Sequence, residues 1–171
     1  MRYNVSQLLK ESTGGVRHYV VDEDVTGLDP AIVPCDPLHG EVDLLRTPRG
    51  ILVTGTMSMH VEMVCSRCLE PITVALKITV EEEFQPTVDV ITGRRLRMEE
   101  EDQALWIDAH HILDLTEVVR QDLLLALPIH PLCRETCAGL CPQCGQNWNE
   151  GPCDCQPDHL DLRWSALLKN P

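Results

Sequence analysis

The chain has 171 residues and carries 14 Lys and Arg against 27 Asp and Glu, a formal charge of −13. That length fits about one domain of ~150 residues and excludes a large multidomain enzyme, while 43% hydrophobic and 24% charged residues exclude a disordered chain. Aromatic residues are few (Phe84, Tyr3, Tyr19, Trp106, Trp148 and Trp164), so the core must be built from Val, Leu, Ile and Met, and a base-stacking platform for single-stranded nucleic acid is disfavoured.

In chain order, residues 6–11 read as a short helix and residues 18–21 as a strand. Residues 22–37, with three prolines and several acids, read as irregular. Residues 40–46 are a further strand, joined by the turn Thr47-Pro-Arg-Gly50 to the strongest periodic signal in the chain. There Ile51, Val53, Gly55, Met57, Met59, Val61 and Met63 alternate with Thr54, Thr56, Ser58, His60 and Glu62, the pattern of a half-buried strand. A second alternation, Ile72, Val74, Leu76, Ile78 and Val80 against Thr73, Ala75, Lys77, Thr79 and Glu81, ends near Phe84. The two make a hairpin whose tip is Cys65-Ser-Arg-Cys-Leu-Glu-Pro71.

Residues 85–103 shift from Arg94-Arg-Leu-Arg97 to Glu99-Glu-Glu-Asp102 without an apolar period and read as a mobile acidic insertion. Asp114-Leu-Thr-Glu117 has capping-box spacing, with Asp114 accepting from early amides and Glu117 reaching back. It predicts a helix that buries Leu115, Val118, Val119, Leu123, Leu125 and Ala126 and stops at Pro128. The remainder is Cys-rich, with a short final helix over residues 161–168. The expected fold is α+β: an antiparallel, hairpin-rich sheet, open or barrel-like, covered by one or two helices. Residues 1–128 form the sheet and covering helix; residues 129–171 form a zinc-knuckle tail packed on them as one domain.

No apolar run reads as an export signal or a membrane span, which places the chain in the cytoplasm. In that reducing compartment nine cysteines are metal ligands or redox thiols rather than disulfides. Cys141-Pro-Gln-Cys144-Gly145 is the most specific signal: two intervening residues let both sulfurs reach one ion, and the glycine permits the positive φ of such a turn. The preferred partition places Cys65, Cys68, Cys133 and Cys137 on one Zn2+, Cys141, Cys144, Cys153 and Cys155 on another, and leaves Cys35 free. A rival places Cys133, Cys137, Cys141 and Cys144 on one ion and the hairpin tip with Cys153 and Cys155 on the other. His130 and His159 flank the cluster as substitute ligands. Two four-thiolate zinc centres take the formal charge from −13 to about −17.

Closed four-thiolate sites leave no position for water, so stapling rather than catalysis is expected. His60-Val-Glu62 carries half of a zinc-deaminase signature but lies on a strand and lacks the Pro-Cys-x-x-Cys partner. No phosphate-binding glycine loop and no nucleophile elbow is present. No enzyme is expected, a hydrolase being the third reading and in need of an open metal position or a triad; nor is a small-molecule substrate or a membrane partner. Arg67, in the hairpin knuckle, is the candidate contact to RNA or a protein partner.

Cys65-Ser-Arg-Cys-Leu-Glu-Pro71 at a hairpin, Glu82-Glu-Phe84, Asp114-Leu115 through Leu125-Ala-Leu-Pro128, and Pro131-Leu-Cys133 with Cys137-Ala-Gly-Leu-Cys-Pro-Gln-Cys-Gly145 and Asn147-Trp-Asn-Glu-Gly-Pro-Cys-Asp-Cys155 together resemble the YceD family, the large ribosomal RNA subunit accumulation proteins. The resemblance spans about residues 15–170. It implies a cytoplasmic or organellar factor for normal levels of 23S ribosomal RNA, with no established catalysis, and motivates a large-subunit ribosomal protein or assembly intermediate as partner. The acidic composition favours that basic protein partner over direct contact with ribosomal RNA. From another class, Cys-x-Cys beside Cys-x-x-Cys also fits a redox-regulated zinc chaperone or thiol switch.

Overall fold

The structure is a computed structural model that describes residues 1–97 and 103–155. Its elements run β1 (Arg2–Asn4), α1 (Ser6–Lys10), β2 (Val16–Glu23), β3 (Leu38–Arg46), β4 (Ile51–Val64), β5 (Pro71–Pro86), a single 3-10 turn (Gln103–Leu105), β6 (Trp106–Ile107), β7 (Ile112–Asp114) and α2 (Thr116–Ala126). The expected helix at 161–168 lies outside the described residues.

Strands β2, β3, β4 and β5 form an antiparallel meander, and β6 adds to β5 in parallel, Gln85 opposite Trp106 and Pro86 opposite Ile107. The sheet is therefore mixed rather than purely antiparallel. Hydrogen bonding does not close it into a barrel, because β2 and β6 are its two edges. The short strands β1 and β7 pair in a separate ribbon that ties the first residues to the start of α2. Tyr3 of that ribbon lies against Tyr19 of β2, with ring centroids 4.8 Å apart.

Period-two alternation fixes which face is buried. Ile51, Val53, Met57, Met59 and Val61 of β4 face inward with Leu76, Ile78, Val80 and Phe84 of β5. They meet Leu115, Val118, Val119 and Leu123, together with Val5, Leu8 and Leu9. Burying each such side chain contributes about 1.5–3 kcal/mol.

Two local expectations at α2 are corrected. Asp114 is the last residue of β7 rather than the helix cap, and Leu115 stands at the N-cap position without a side-chain cap. The Asp114 carboxylate accepts from the Thr116 amide at 3.0 Å, a turn two residues long, and Glu117 pairs forward with Arg120 at 2.6 Å instead of reaching back. Asp-x-x-Glu spacing fits both arrangements, and pairing of β7 with β1 selects this one. Leu125 is 83% exposed, on the flank of the buried stripe in the last turn. Leu127 is extended, as the residue before Pro128 prefers.

Within the acidic insertion, residues 87–96 form a hydrogen-bonded hairpin. The Asp89 amide donates to the Arg94 carbonyl at 2.9 Å, and the Leu96 amide to that of Thr87 at 3.0 Å. Residues 98–102, which hold Glu99, Glu100, Glu101 and Asp102, lie outside the described residues.

Candidate metal centres

The 14-residue strand β4 and its partner β5 place the hairpin tip at one end of the sheet. In the tip, the Cys65 amide donates to the Glu70 carbonyl at 2.9 Å and the Leu69 amide to that of Cys65 at 3.0 Å. Leu69 takes a φ of 60° to make this turn. Residues 141–146 repeat the pattern: the Cys141 amide donates to Gln146 at 2.8 Å and the Gly145 amide to Cys141 at 2.9 Å, with Gly145 at φ 76°. Each is a knuckle turn in which a positive φ at the fifth residue folds the chain back under the first cysteine.

After α2 the chain returns to the tip. The Ser66 amide donates to the Pro131 carbonyl at 2.8 Å, and the Arg67 guanidinium donates to the carbonyls of Glu135 at 3.2 Å and Cys137 at 2.9 Å. Cys65, Cys68, Cys133 and Cys137 thereby gather into one group with every sulfur within 4.8 Å of the others; Cys141, Cys144, Cys153 and Cys155 gather into a second. The geometry thus groups the sulfurs as in the preferred partition, not the rival. Cys35 is exposed and stands outside both groups, as does His130; His159 lies outside the described residues.

Both groups fit a single four-coordinate ion. Zn–S bonds of about 2.3 Å at tetrahedral angles separate sulfurs by about 3.8 Å, and Cys65 Sγ to Cys137 Sγ is 3.9 Å, Cys68 Sγ to Cys133 Sγ 3.7 Å. The thiol chemistry also asks for a cation. Amide N–H groups of Cys68, Arg67 and Cys133 aimed at the Cys65 sulfur lower its pKa to about 6, and those of Cys144 and Gln143 do the same for Cys141. Burial, then the neighbouring sulfurs Cys137, Cys68 and Cys65, push the Cys133 thiol up to about 12; Cys144, then burial, push Cys155 equally far. Four thiolates in so small a volume repel one another, and a divalent ion at the centre removes that repulsion. With all four positions filled by sulfur, such a site holds structure and activates no water.

The two groups differ in burial. Cys65, Cys68 and Cys137 are buried and pack with Ile72, Leu132 and Leu140 into a small second core. In the other group Cys141 is buried, whereas Cys144 and Cys155 are exposed. Trp148 covers part of it, its indole N–H donating to Cys153 Sγ at 3.4 Å.

Asn149 joins the groups, a role the sequence reading did not assign. Its Nδ2 donates to Cys137 Sγ at 3.4 Å, and its Oδ1 accepts from the Ala138 amide at 2.9 Å and from Arg134 Nη2 at 2.6 Å. The signal available was placement: a polar pair, Asn147 and Asn149, between two cysteine pairs. Arg67 spends Nη1 on bracing the two halves of the first group. His60 is exposed on β4 and bonds Asp36 at 2.6 Å, away from every cysteine group.

A family model described as large ribosomal RNA subunit accumulation protein YceD matches residues 53–169, well over half of the chain. An uncharacterised protein of Mycobacterium tuberculosis is 33% identical over 124 residues, which cover 70% of this chain and 55% of that protein. The chloroplastic YCED homolog 1 of Arabidopsis thaliana, named a large ribosomal RNA subunit accumulation protein, is 24% identical over 152 residues, covering 77% and 47%. A Mycobacterium leprae protein is 24% identical over 131 residues, covering 77% and 58%. The chain spans about half the length of the curated relatives it matches. No solved structure matches it. Among the described residues no helix is long and apolar enough to cross a membrane.

Proposed function

Since the chain belongs to the YceD family, we propose that it is a non-enzymatic ribosome-biogenesis factor, working in the cytoplasm to support accumulation or processing of 23S ribosomal RNA. It acts through binding surfaces whose shape two Zn2+ ions hold, one on Cys65, Cys68, Cys133 and Cys137, the other on Cys141, Cys144, Cys153 and Cys155. The observation that supports this reading is the pair of all-sulfur groups, each able to hold one ion and, once filled, leaving no position for substrate. Zinc suits a tetrahedral thiolate site because it tolerates that geometry without redox chemistry.

The partner that best fits is a basic ribosomal protein or a large-subunit assembly intermediate. A formal charge of −13, falling to about −17 with two four-thiolate zinc centres, repels phosphate over distances comparable with the Debye length. Arg67 is the residue through which ribosomal RNA or the partner would be touched: Nη1 is committed to Glu135 and Cys137, so the exposed remainder of its guanidinium makes that contact. The thiol-switch reading has one observation in its favour, the exposure of Cys144 and Cys155 in the second group.

Gradient sedimentation of the tagged chain with ribosomal particles tests the proposal. The chain should travel with large-subunit precursors, and less so as salt rises. Its absence from those fractions at every salt concentration would overturn the proposal. Peroxide distinguishes the thiol switch: reversible loss of zinc with gain of chaperone-like holding activity would favour it, whereas a structural site resists or unfolds.

A further inference from the structure

We propose that β2 is a self-association edge, along which two copies of this chain pair antiparallel about a two-fold axis at Val20, continuing the sheet from one copy into the next. Strand β2 is an edge with eight residues, long enough for a full ladder, and among the described residues its backbone-to-backbone bonds all run to β3. Edge strands left solvated are usually blunted by charged side chains, lysines above all, a proline or a bulge; the charges of β2 are instead of both signs, in positions where two copies of the strand can pair them. The sequence of β2 has neither lysine nor proline, and its outer face presents Val20 at 76% and Val16 at 49% exposure.

Charge complementarity identifies the occupant as a second copy. Alternate residues of an edge strand turn their N–H and C=O outward, so a two-fold axis requires residues of like parity to face each other. The register centred on Val20 sets Arg17 opposite Glu23, His18 opposite Asp22, and Tyr19 opposite Val21 of the other copy, with Val20 against its own counterpart. The axis doubles each of the first three pairs. Centring on Tyr19 instead sets Arg17 against Val21 and His18 against Val20; centring on Val21 sets Tyr19 against Glu23 and Val20 against Asp22. Neither alternative forms an opposite-charge pair, so the strand's charges select one register. Opposite charges directly across a ladder are favourable and like charges unfavourable. Arg17, His18, Asp22 and Glu23 are all exposed. The pairs they already make, Arg17 with Glu11, His18 with Asp43 and Asp22 with His39, are themselves exposed and exchangeable.

An eight-residue edge gives a small interface and hence a weak, concentration-dependent dimer. Sedimentation equilibrium of the full chain over a range of concentrations should show a monomer–dimer equilibrium in the micromolar range. Arg17→Glu alone sets Glu against Glu, and Glu23→Arg alone sets Arg against Arg. Each should weaken association about tenfold or more. Mixing the two variants restores opposite charges at both ends, so the mixture should associate as well as the parent or better. This recovery also separates lost pairing from lost folding. A chain that stays monomeric at all concentrations, or a dimer indifferent to both substitutions and to mixing, would overturn the proposal.

Discussion

Residues 65–70 and residues 141–146 share the same two backbone hydrogen bonds and the same left-handed fifth residue, yet they sit in opposite surroundings. The first knuckle caps a long hairpin, is roofed by the chain that follows α2, and has its own small apolar core. The second is held by local turns and Asn149, with half of its cysteines exposed. The contrast in their fifth residues follows. A hairpin with fourteen paired positions over-determines its tip, so Leu69 tolerates a φ of 60° there, while the second knuckle has no such support and uses Gly145. One local device thus serves as part of the core in one place and as a surface feature in the other.

The largest effect expected is on Cys65→Ser. It removes a sulfur of the buried group, should release one zinc and should lower stability by about 3–5 kcal/mol, read from denaturant unfolding. Cys144→Ser, at the exposed group, should release the other zinc and cost less, about 2–3 kcal/mol; equal losses from the two variants would erase the contrast. Asn149→Ala comes next, at about 1–2 kcal/mol, because it strips the Ala138 amide and Cys137 sulfur of their partner. Zinc content should stay at two per chain, with faster release of metal to a chelator from the first group, whose Cys137 sulfur loses its donor. The smallest effects are on the fifth residues. Gly145→Ala should destabilise by about 1 kcal/mol and Leu69→Gly should stabilise by about 0.5–1 kcal/mol, since Leu69 is 62% exposed and leaves little packing behind. Thermal melts of the two variants should move in opposite directions.

A fall in pH should reveal the same order. In the metal-free chain Cys65 and Cys141 are lowered to about 6, so proton competition for these sulfurs, and with it zinc release, sets in on acidification. Bound metal extends the range over which the thiolates persist to lower pH, so holo protein should unload well below that value, with the exposed second group first. Zinc release followed with a chromogenic chelator across a pH series checks this.

Much of this arrangement was legible in the sequence. The strict alternation around Met57 and Ile78 located the central hairpin, and with it the tip that carries Cys65 and Cys68. The knuckle spacing and the position of Cys133 shortly after a helix favoured the grouping of sulfurs that the structure adopts, but spacing alone left the rival grouping open. What stayed hidden depends on contacts distant in sequence. Strands β1 and β7 are three residues each and pair across more than a hundred positions, too short for a period to show. Asp114 therefore read as a helix cap, although pairing with Arg2 makes it a strand end. The two-residue strand β6 is recognisable only through its partner on β5. Asn149 follows the same logic: an asparagine in a cysteine-rich loop is ordinary until the fold places it beside Cys137.

The measurement that tests the account most directly is zinc per chain in protein purified without chelator or added metal, for the parent and for Cys65→Ser, Cys133→Ser, Cys141→Ser and Cys153→Ser. The account predicts two zincs in the parent, one shared ion lost by the first two variants and the other shared ion lost by the last two. The double variants Cys65→Ser/Cys133→Ser and Cys141→Ser/Cys153→Ser should then retain one zinc each, while Cys65→Ser/Cys153→Ser retains none. A parent with fewer than two zincs, or a Cys65→Ser/Cys153→Ser chain that still holds one, would contradict it.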